Sequence, residues 1–382
     1  MDLQSTLFME VREFVKRNFL LVISAILAII SLFFVPFDTV LSYEYQRILK
    51  TICILLFFLL IVAGLKECKA LDKLATITLG NLKTTTSLCL VLILLPFFSA
   101  MLFSNDVSLL TFIPISIATL GMAKRKELVA VVIVLQTVAA NIGSSLTPFG
   151  NPHNLYIFNF NDKYGFTLMD YEMALIPIVV VGTLAILIMT LMIPKHEMEV
   201  KMRDDINIEH KPKFLVIMAM FILAILTVMN IVPFYITTVI MIVTFLIIMP
   251  KVFLKIDYSI LCIFFFLFIF ANNVTSIDTI RSVLTDLMAW DPMLTTVLVS
   301  QFTSNVPSTI LLEQFTDDWA AVVVGADIGG FGTPIASMAS VITLRLYLLN
   351  KEHDVGHFFK VFFLIELVML AVLIPTYYLV HL

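Results

Sequence analysis

Two acidic residues stand in apolar surroundings where charge is costly. They are Asp106 in "MLFSNDVSLL" (101–110) and Asp327 in "GADIGGFGTPIASMASVI" (325–342). An aspartate deep in a bilayer costs at least about 2.5–3.5 kcal/mol on insertion scales and marks an ion or proton path by default. The chemistry on offer is holding a coupling cation or carrying a proton. The structural alternative is capping a half-helix N-terminus. Neutral ligands surround both acids. "AANIGSSLTPFGNPHNLYIF" (139–158) runs parallel to 325–342: Ala, then Asn or Asp, then Ile-Gly, then Thr-Pro three residues on. Asn141 thus stands where Asp327 does. Ser104-Asn105 and Ser304-Asn305 form a second matched pair. Neither quoted motif holds a Lys or Arg. An anion there must rely on half-helix dipoles, hydroxyls, amides and bound cations.

The elements that position these residues are membrane helices. The 382 residues are 60% hydrophobic and 14% charged, against about 25% charged in a soluble domain. Full spans are predicted at 19–37, 45–65, 171–193, 214–233, 234–249, 258–273 and 358–380. Two more, 127–160 and 319–349, are interrupted by the motifs. Segments 84–121 and 291–316 read as re-entrant hairpins broken at the Ser-Asn pairs. The expectation is an all-α polytopic membrane protein of about nine spans (nine to eleven). With the N-terminus in the cytoplasm, 20 of the 24 Lys/Arg fall on the cytoplasmic side; Arg47, Lys50, Lys163 and Arg281 do not. That bias also splits 214–249 at Pro233. The four cysteines show no metal-ligand or disulfide spacing. Residues 1–18 read as a polar lead-in carrying Arg12, Lys16 and Arg17, with no cleavable signal peptide.

The two halves, 1–193 and 214–382, flank a charged linker at 194–213. Each carries an amphipathic arm (66–83, 275–290), then a hairpin, then an interrupted helix. Five predicted spans separate the arms, so the halves have opposite orientation, an inverted repeat. Interrupted helices at matching places in such a repeat point to a transporter site near the midplane. Unwound backbone is tolerated there only where protein or water covers it. Gly143, Gly329, Gly330 and Gly332 permit close approach, and Pro148, Pro152 and Pro334 stop the helix from closing up.

These four motifs, in this order over roughly residues 45–350, resemble the ion transporter superfamily. It includes divalent anion/sodium symporters, arsenite permeases and sodium/proton antiporters, and the likeness is nearest to bacterial citrate-transporter-like anion permeases. The resemblance implies two helical hairpins, two broken helices, a dimerising scaffold and elevator-type movement. It implies Na+ and carboxylate binding at Ser-Asn-Thr hairpin tips. Here the tips are Ser104, Asn105, Asp106 and Ser304, Asn305, Val306, so both threonines are replaced. Expected substrate ligands are Asn105, Thr147, Pro148, Asn151, Asn305, Thr333 and Pro334. Expected coupling residues are Ser104, Asp106, Asn141, Gly143, Ser304, Asp327 and Gly329, with Na+ at Ser104, Asn105, Ser304 and Asn305.

Other polar groups carry weaker expectations. Glu313, about two turns past the second tip, is placed near the interface. Glu366 is expected to contact the scaffold or a dimer partner, His153 to cap or pack, and Asn272 and Asn273 to cap a span. No nucleotide loop, His-rich metal site or Ser/His pair is present, so the expectation is a transporter and not an enzyme. It would move a small carboxylate or oxyanion with Na+ or H+, as a homodimer in the cell membrane. No cofactor or nucleic acid is expected. A sodium/proton antiporter or oxyanion exporter on the same scaffold is the alternative.

Overall fold

The structure is a computed structural model that describes residues 18–79, 82–159, 161–197, 207–350 and 354–381. The lead-in basic residues Arg12, Lys16 and Arg17, part of the first arm and the middle of the linker lie outside the described residues.

The first half opens with α1 (Phe19–Leu32) and α2 (Tyr45–Glu67), followed by the arm α3 (Ala70–Leu79). Thr84 starts the first hairpin with a capping box, its hydroxyl accepting from Ser87 N–H. The hairpin is α4 (Thr85–Phe103) and α5 (Asn105–Met122). The broken helix is α6 (Val129–Ser145) and α7 (Pro152–Phe158), with Pro152 at the start of the second piece. A long helix, α8 (Leu168–Leu191), follows. After the linker come α9 (Lys211–Val228) and α10 (Phe234–Ile248), divided at Pro233 as the charge bias required. Next, α11 (Ser259–Thr275) turns by 98° into the arm α12 (Asp278–Trp290). The second hairpin is α13 (Pro292–Thr303) and α14 (Asn305–Leu312). The second broken helix is α15 (Trp319–Gly329) and α16 (Met338–Leu348), and α17 (Val355–His381) ends the chain.

The protein is therefore an all-α polytopic membrane protein. Seven described helices are long and apolar enough to cross a bilayer, eight if the bent pair α11–α12 is one span. Among the described residues the only β feature is an isolated Thr84–Glu197 bridge.

The hairpins are unequal. The arms of the first have 19 and 18 residues, about 28 and 27 Å by helical rise. Those of the second have 12 and 8, about 18 and 12 Å. Each arm of the first hairpin is long enough to cross a membrane by itself.

Helices α4–α8 and α13–α17 pack into one body, and α1, α2 and α9–α11 into another. The bodies meet mainly where α11 packs on α14 and α2 on α7. The first body is centred on α6: all but Val131 of its 17 residues are buried. Gly143 lets α6 approach α4, since a Cβ there would sit 2.2 Å from Phe97 O. Thr137 on α6 and Thr343 on α16 share a hydrogen bond of 2.5 Å, tying the two broken helices together.

Candidate functional site

The two hairpin tips have the same backbone geometry. Ser104 has φ 87°, ψ 150° and Ser304 has φ 75°, ψ 154°. That region is essentially reserved for glycine, and a serine there stores about 1–3 kcal/mol of strain. Such strain persists only where surrounding contacts impose it. The contacts are the same at both tips. Asn105 N–H donates to Gly150 O at 3.2 Å, and Asn305 N–H to Ala336 O at 2.9 Å. The Thr147 hydroxyl donates to Met101 O at 2.6 Å, and that of Thr333 to Gln301 O at 2.9 Å. Each tip is thus pinned to the break of its own broken helix, by residues matching in sequence position.

The second junction is more elaborate. Gln301 donates through Nε2 to Gly329 O (3.0 Å) and Phe331 O (2.9 Å), and its Oε1 accepts from Thr333 N–H (3.0 Å). Gly332, at φ +112°, supplies the backbone turn. Glu366 on α17 accepts from Gly332 N–H at 3.3 Å. Glu366 therefore serves the break of the second broken helix within its own body.

Asp327 and Asn141 make matched contacts across the two halves. Asp327 Oδ1 accepts from Asn151 Nδ2 at 3.2 Å, and Asn141 Nδ2 donates to Ser337 Oγ at 3.4 Å. Ser337 lies 186 residues after Asn151, and Asp327 lies 186 after Asn141. The chemistry differs because the partners differ. Asp327 also meets His153 Nε2 at 3.2 Å and Asn154 Nδ2 at 3.4 and 3.3 Å on its two oxygens. Three side chains facing it with nitrogen suit a carboxylate. Asn141 instead faces one hydroxyl and Asn105, whose Nδ2 donates to its Oδ1 at 2.9 Å. The Asp327 group is fully interior: the His153 and Asp327 side chains are 1% and 2% exposed.

Asp106 is the opposite case. It is 9% exposed, and its Oδ1 is buried with no hydrogen-bond partner. Its side chain lines a cavity of about 210 Å³ between the tips and the helices α1 and α11. Ser304 and Val306 of the second tip, Pro152 of the first break and Ile335 and Met338 of the second line the same cavity. The two acids singled out by sequence therefore sit in different environments. One is braced by its neighbours, and one lines a cavity with a buried oxygen that has no partner.

The profile of the citrate transporter family matches residues 14–314 of the chain. The chain belongs to the citrate transporter family. An uncharacterized transporter of Methanocaldococcus jannaschii is 33% identical to it over 327 residues, 85% of this chain and 88% of that protein. An inner membrane protein of Escherichia coli is 26% identical over 318 residues, 82% and 84% of the respective chains. The first is named as a transporter and the second as an inner membrane protein, and the family is one of transporters.

Within this family member the other expected ligands fall into four groups. Asn105, Ser304 and Asn305 are buried at the tips and Ser104 is half-buried, with Asn141 bridging Asn105 to Ser337. Thr147 and Thr333 are engaged with hairpin carbonyls, and Pro148 is buried and Pro334 half-buried within the breaks. Gly143 and Gly329 lie at close helix contacts; a Cβ on Gly329 would meet Ser300 Oγ at 2.7 Å. Asn151 belongs with Asp327.

Glu313 is buried at 3% exposure. It accepts from Tyr156 OH (3.1 Å), Tyr164 OH (2.7 Å) and Lys163 Nζ (3.3 Å). It borders an open polar vestibule of about 940 Å³ that Glu44, Arg47, Arg281 and Asp317 also line. Asn273 accepts from Tyr43 OH at 2.6 Å and donates to Ser31 Oγ at 2.8 Å, so it ties α11 to α1. Asn272 donates to Phe268 O within its own helix.

Proposed function

We propose that this protein is a secondary active transporter. It carries a small anion, a carboxylate or inorganic oxyanion, across the membrane with Na+ or H+. The observation that carries the reading is the pair of strained hairpin tips, each pinned to the break of a broken helix, around a cavity that holds the unpaired carboxylate of Asp106. Interrupted helices meeting at a buried point are how membrane proteins expose backbone groups to a solute without exposing them to lipid. In this reading Asp106 takes the coupling ion, with Ser104, Asn105, Ser304 and Asn305 around it. Asp327 and His153 brace the two broken helices.

The body of hairpins and broken helices moves as an elevator against α1, α2 and α9–α11, which also form the homodimer contact. The N-terminus is cytoplasmic. The tip cavity reaches Ile23, Ser24 and Leu27 on α1 and Ile260, Ile263 and Phe264 on α11. On α1 these are the second and third turns, and on α11 the lining runs on through Leu267 and Phe270, so the cavity sits within the depth of the spans. With the N-terminus cytoplasmic, the large vestibule at Glu313 and Arg281 lies on the outer side. No cofactor, enzyme chemistry or nucleic acid enters the reading.

Uptake by purified protein in proteoliposomes tests it, with imposed Na+ or pH gradients and a panel of labelled carboxylates and oxyanions. Gradient-driven uptake that Asp106→Asn uncouples is expected; uptake indifferent to both gradients would sink the reading. The lining around Asp106 holds no Lys or Arg, which favours a sodium/proton antiporter as the second reading. That alternative predicts Na+-driven proton movement with no solute added.

A further inference from the structure

The tip cavity has a chemical character of its own. Its lining carries one ionisable side chain, Asp106, and the hydroxyls of Ser24, Thr303 and Ser304. Ile263, Phe264, Leu267, Phe270 and Leu311 give it an apolar wall. A dry cavity of about 150 Å³ holds a benzene ring. The 210 Å³ here therefore suits roughly eight or nine non-hydrogen atoms by the same scale.

Donors for an acid group line the same cavity as Asp106. The Asn305 N–H is already taken by Ala336 O, and Pro307 has none, which leaves the Val306 N–H at the start of the eight-residue α14. Ser304 also lines the cavity, and its hydroxyl makes a long 3.4 Å contact to Asn305 Oδ1. The independent pointer to a ligand is Asp106 itself, more than nine-tenths buried, unpartnered at Oδ1 and lining the space.

We propose that the occupant is a small monocarboxylic acid with an apolar body, held so that its carboxyl and that of Asp106 share one proton. This rests on the transporter reading above and narrows its substrate. Two carboxylates at contact distance cannot both stay ionised, so one proton enters from water with each carboxylate. The carboxyl then accepts from Val306 N–H and Ser304 Oγ, and the body lies on Phe264, Leu267 and Phe270. Di- and tricarboxylates are rejected. Their further charges would be stripped of water against the apolar wall, with no cation to meet them. No other element repairs this. The lining residues of α1, α11, α14 and α16 carry no titratable side chain, and Asp257, just before α11, acts on Asp106 with the same sign.

The test is ligand-induced thermal stabilisation of the purified full-length protein by benzoate, isovalerate, succinate and citrate between pH 5 and 8. It is paired with uptake in proteoliposomes. Benzoate and isovalerate are expected to stabilise, with affinity flat while the empty site's Asp106 holds its proton and falling about tenfold per pH unit above that point, the slope of one proton. In Asp106→Asn the amide donates directly to the ligand, so binding remains and the slope disappears. Leu27→Phe, which fills the cavity from α1, is expected to weaken benzoate at least tenfold, and it serves if the first variant does not fold. Stronger stabilisation by succinate or citrate, a pH slope retained in Asp106→Asn, or benzoate binding unchanged in Leu27→Phe overturns the proposal. Gradient-driven uptake of a di- or tricarboxylate overturns it while leaving the transporter reading intact. Absence of any gradient-driven uptake removes both.

Discussion

Replacing Asp327 by alanine separates bracing from ion binding. The substitution strips the acceptor from Asn151 Nδ2, His153 Nε2 and Asn154 Nδ2, all inside a fully buried cluster. A buried donor left without a partner costs about 1–3 kcal/mol, so three give roughly 3–9 kcal/mol. At about 2.1 cal/mol/K of unfolding entropy per residue, 382 residues give roughly 1.2 °C per kcal/mol, so the expected fall in Tm is at least about 4 °C. Asparagine behaves differently. Its oxygen keeps the contacts of Asn151 and His153, and its new N–H₂ faces Asn154 Nδ2 across the 3.3 Å contact. Turning the Asn154 amide over places its now unpartnered Oδ1 there as acceptor. Asp327→Asn should therefore lose less than about 2 kcal/mol. Scanning fluorimetry in detergent, with elution profiles to confirm folding, reads both variants. An Asp327→Ala protein as stable as wild type refutes the bracing role. So does an Asp327→Asn protein as damaged as the alanine variant.

Ser104→Gly and Ser304→Gly should each raise stability by about 1 kcal/mol or more, because glycine occupies the tip backbone region without strain. If the serine hydroxyls hold the coupling ion, the same variants lose ion-dependent stabilisation, and a loss of stability without ligand would contradict the strain. Gly143→Ala forces a methyl to within 2.2 Å of Phe97 O, so α4 and α6 must separate. An expected loss of about 1–3 kcal/mol follows, visible as a lower Tm and a lower folded yield, and a neutral variant would show that the two helices are not in contact.

Much of the site was written in local sequence. Pro148, Pro152 and Pro334 mark breaks because proline blocks helix closure wherever it falls, and Ser-Asn pairs mark the tips because the residue ahead of each helix must leave helical geometry. The partners were not legible. His153 and Asp327 stand 174 residues apart and Gly332 and Glu366 34 apart, and hydropathy does not say which faces of two apolar helices meet. Lys163, Tyr156 and Tyr164 around Glu313 are hidden for the same reason. One signal was available: the spacing that aligns Asn141 with Asp327 also aligns Asn151 with Ser337, which foretells that the two contacts belong together. The unequal hairpins have a counterpart too, since the first half has 14 more residues between tip and broken helix, and α5 is 10 residues longer than α14.

The crosswise bonding of the broken helices also bears on how the chain is made. Asn151, His153 and Asn154 are synthesised long before Asp327, the residue that satisfies them. From Asp327 back to Asn154 is 173 residues, roughly 10–35 s at ordinary elongation rates of 5–20 residues per second. For that interval the amino-terminal segment sits in or beside the insertion machinery with a polar cluster and no acceptor for it. Biogenesis therefore has a waiting period built into it. A ribosome pause or a truncation between Asn154 and Asp327 would leave a species that quality-control proteases can recognise by those unsatisfied groups.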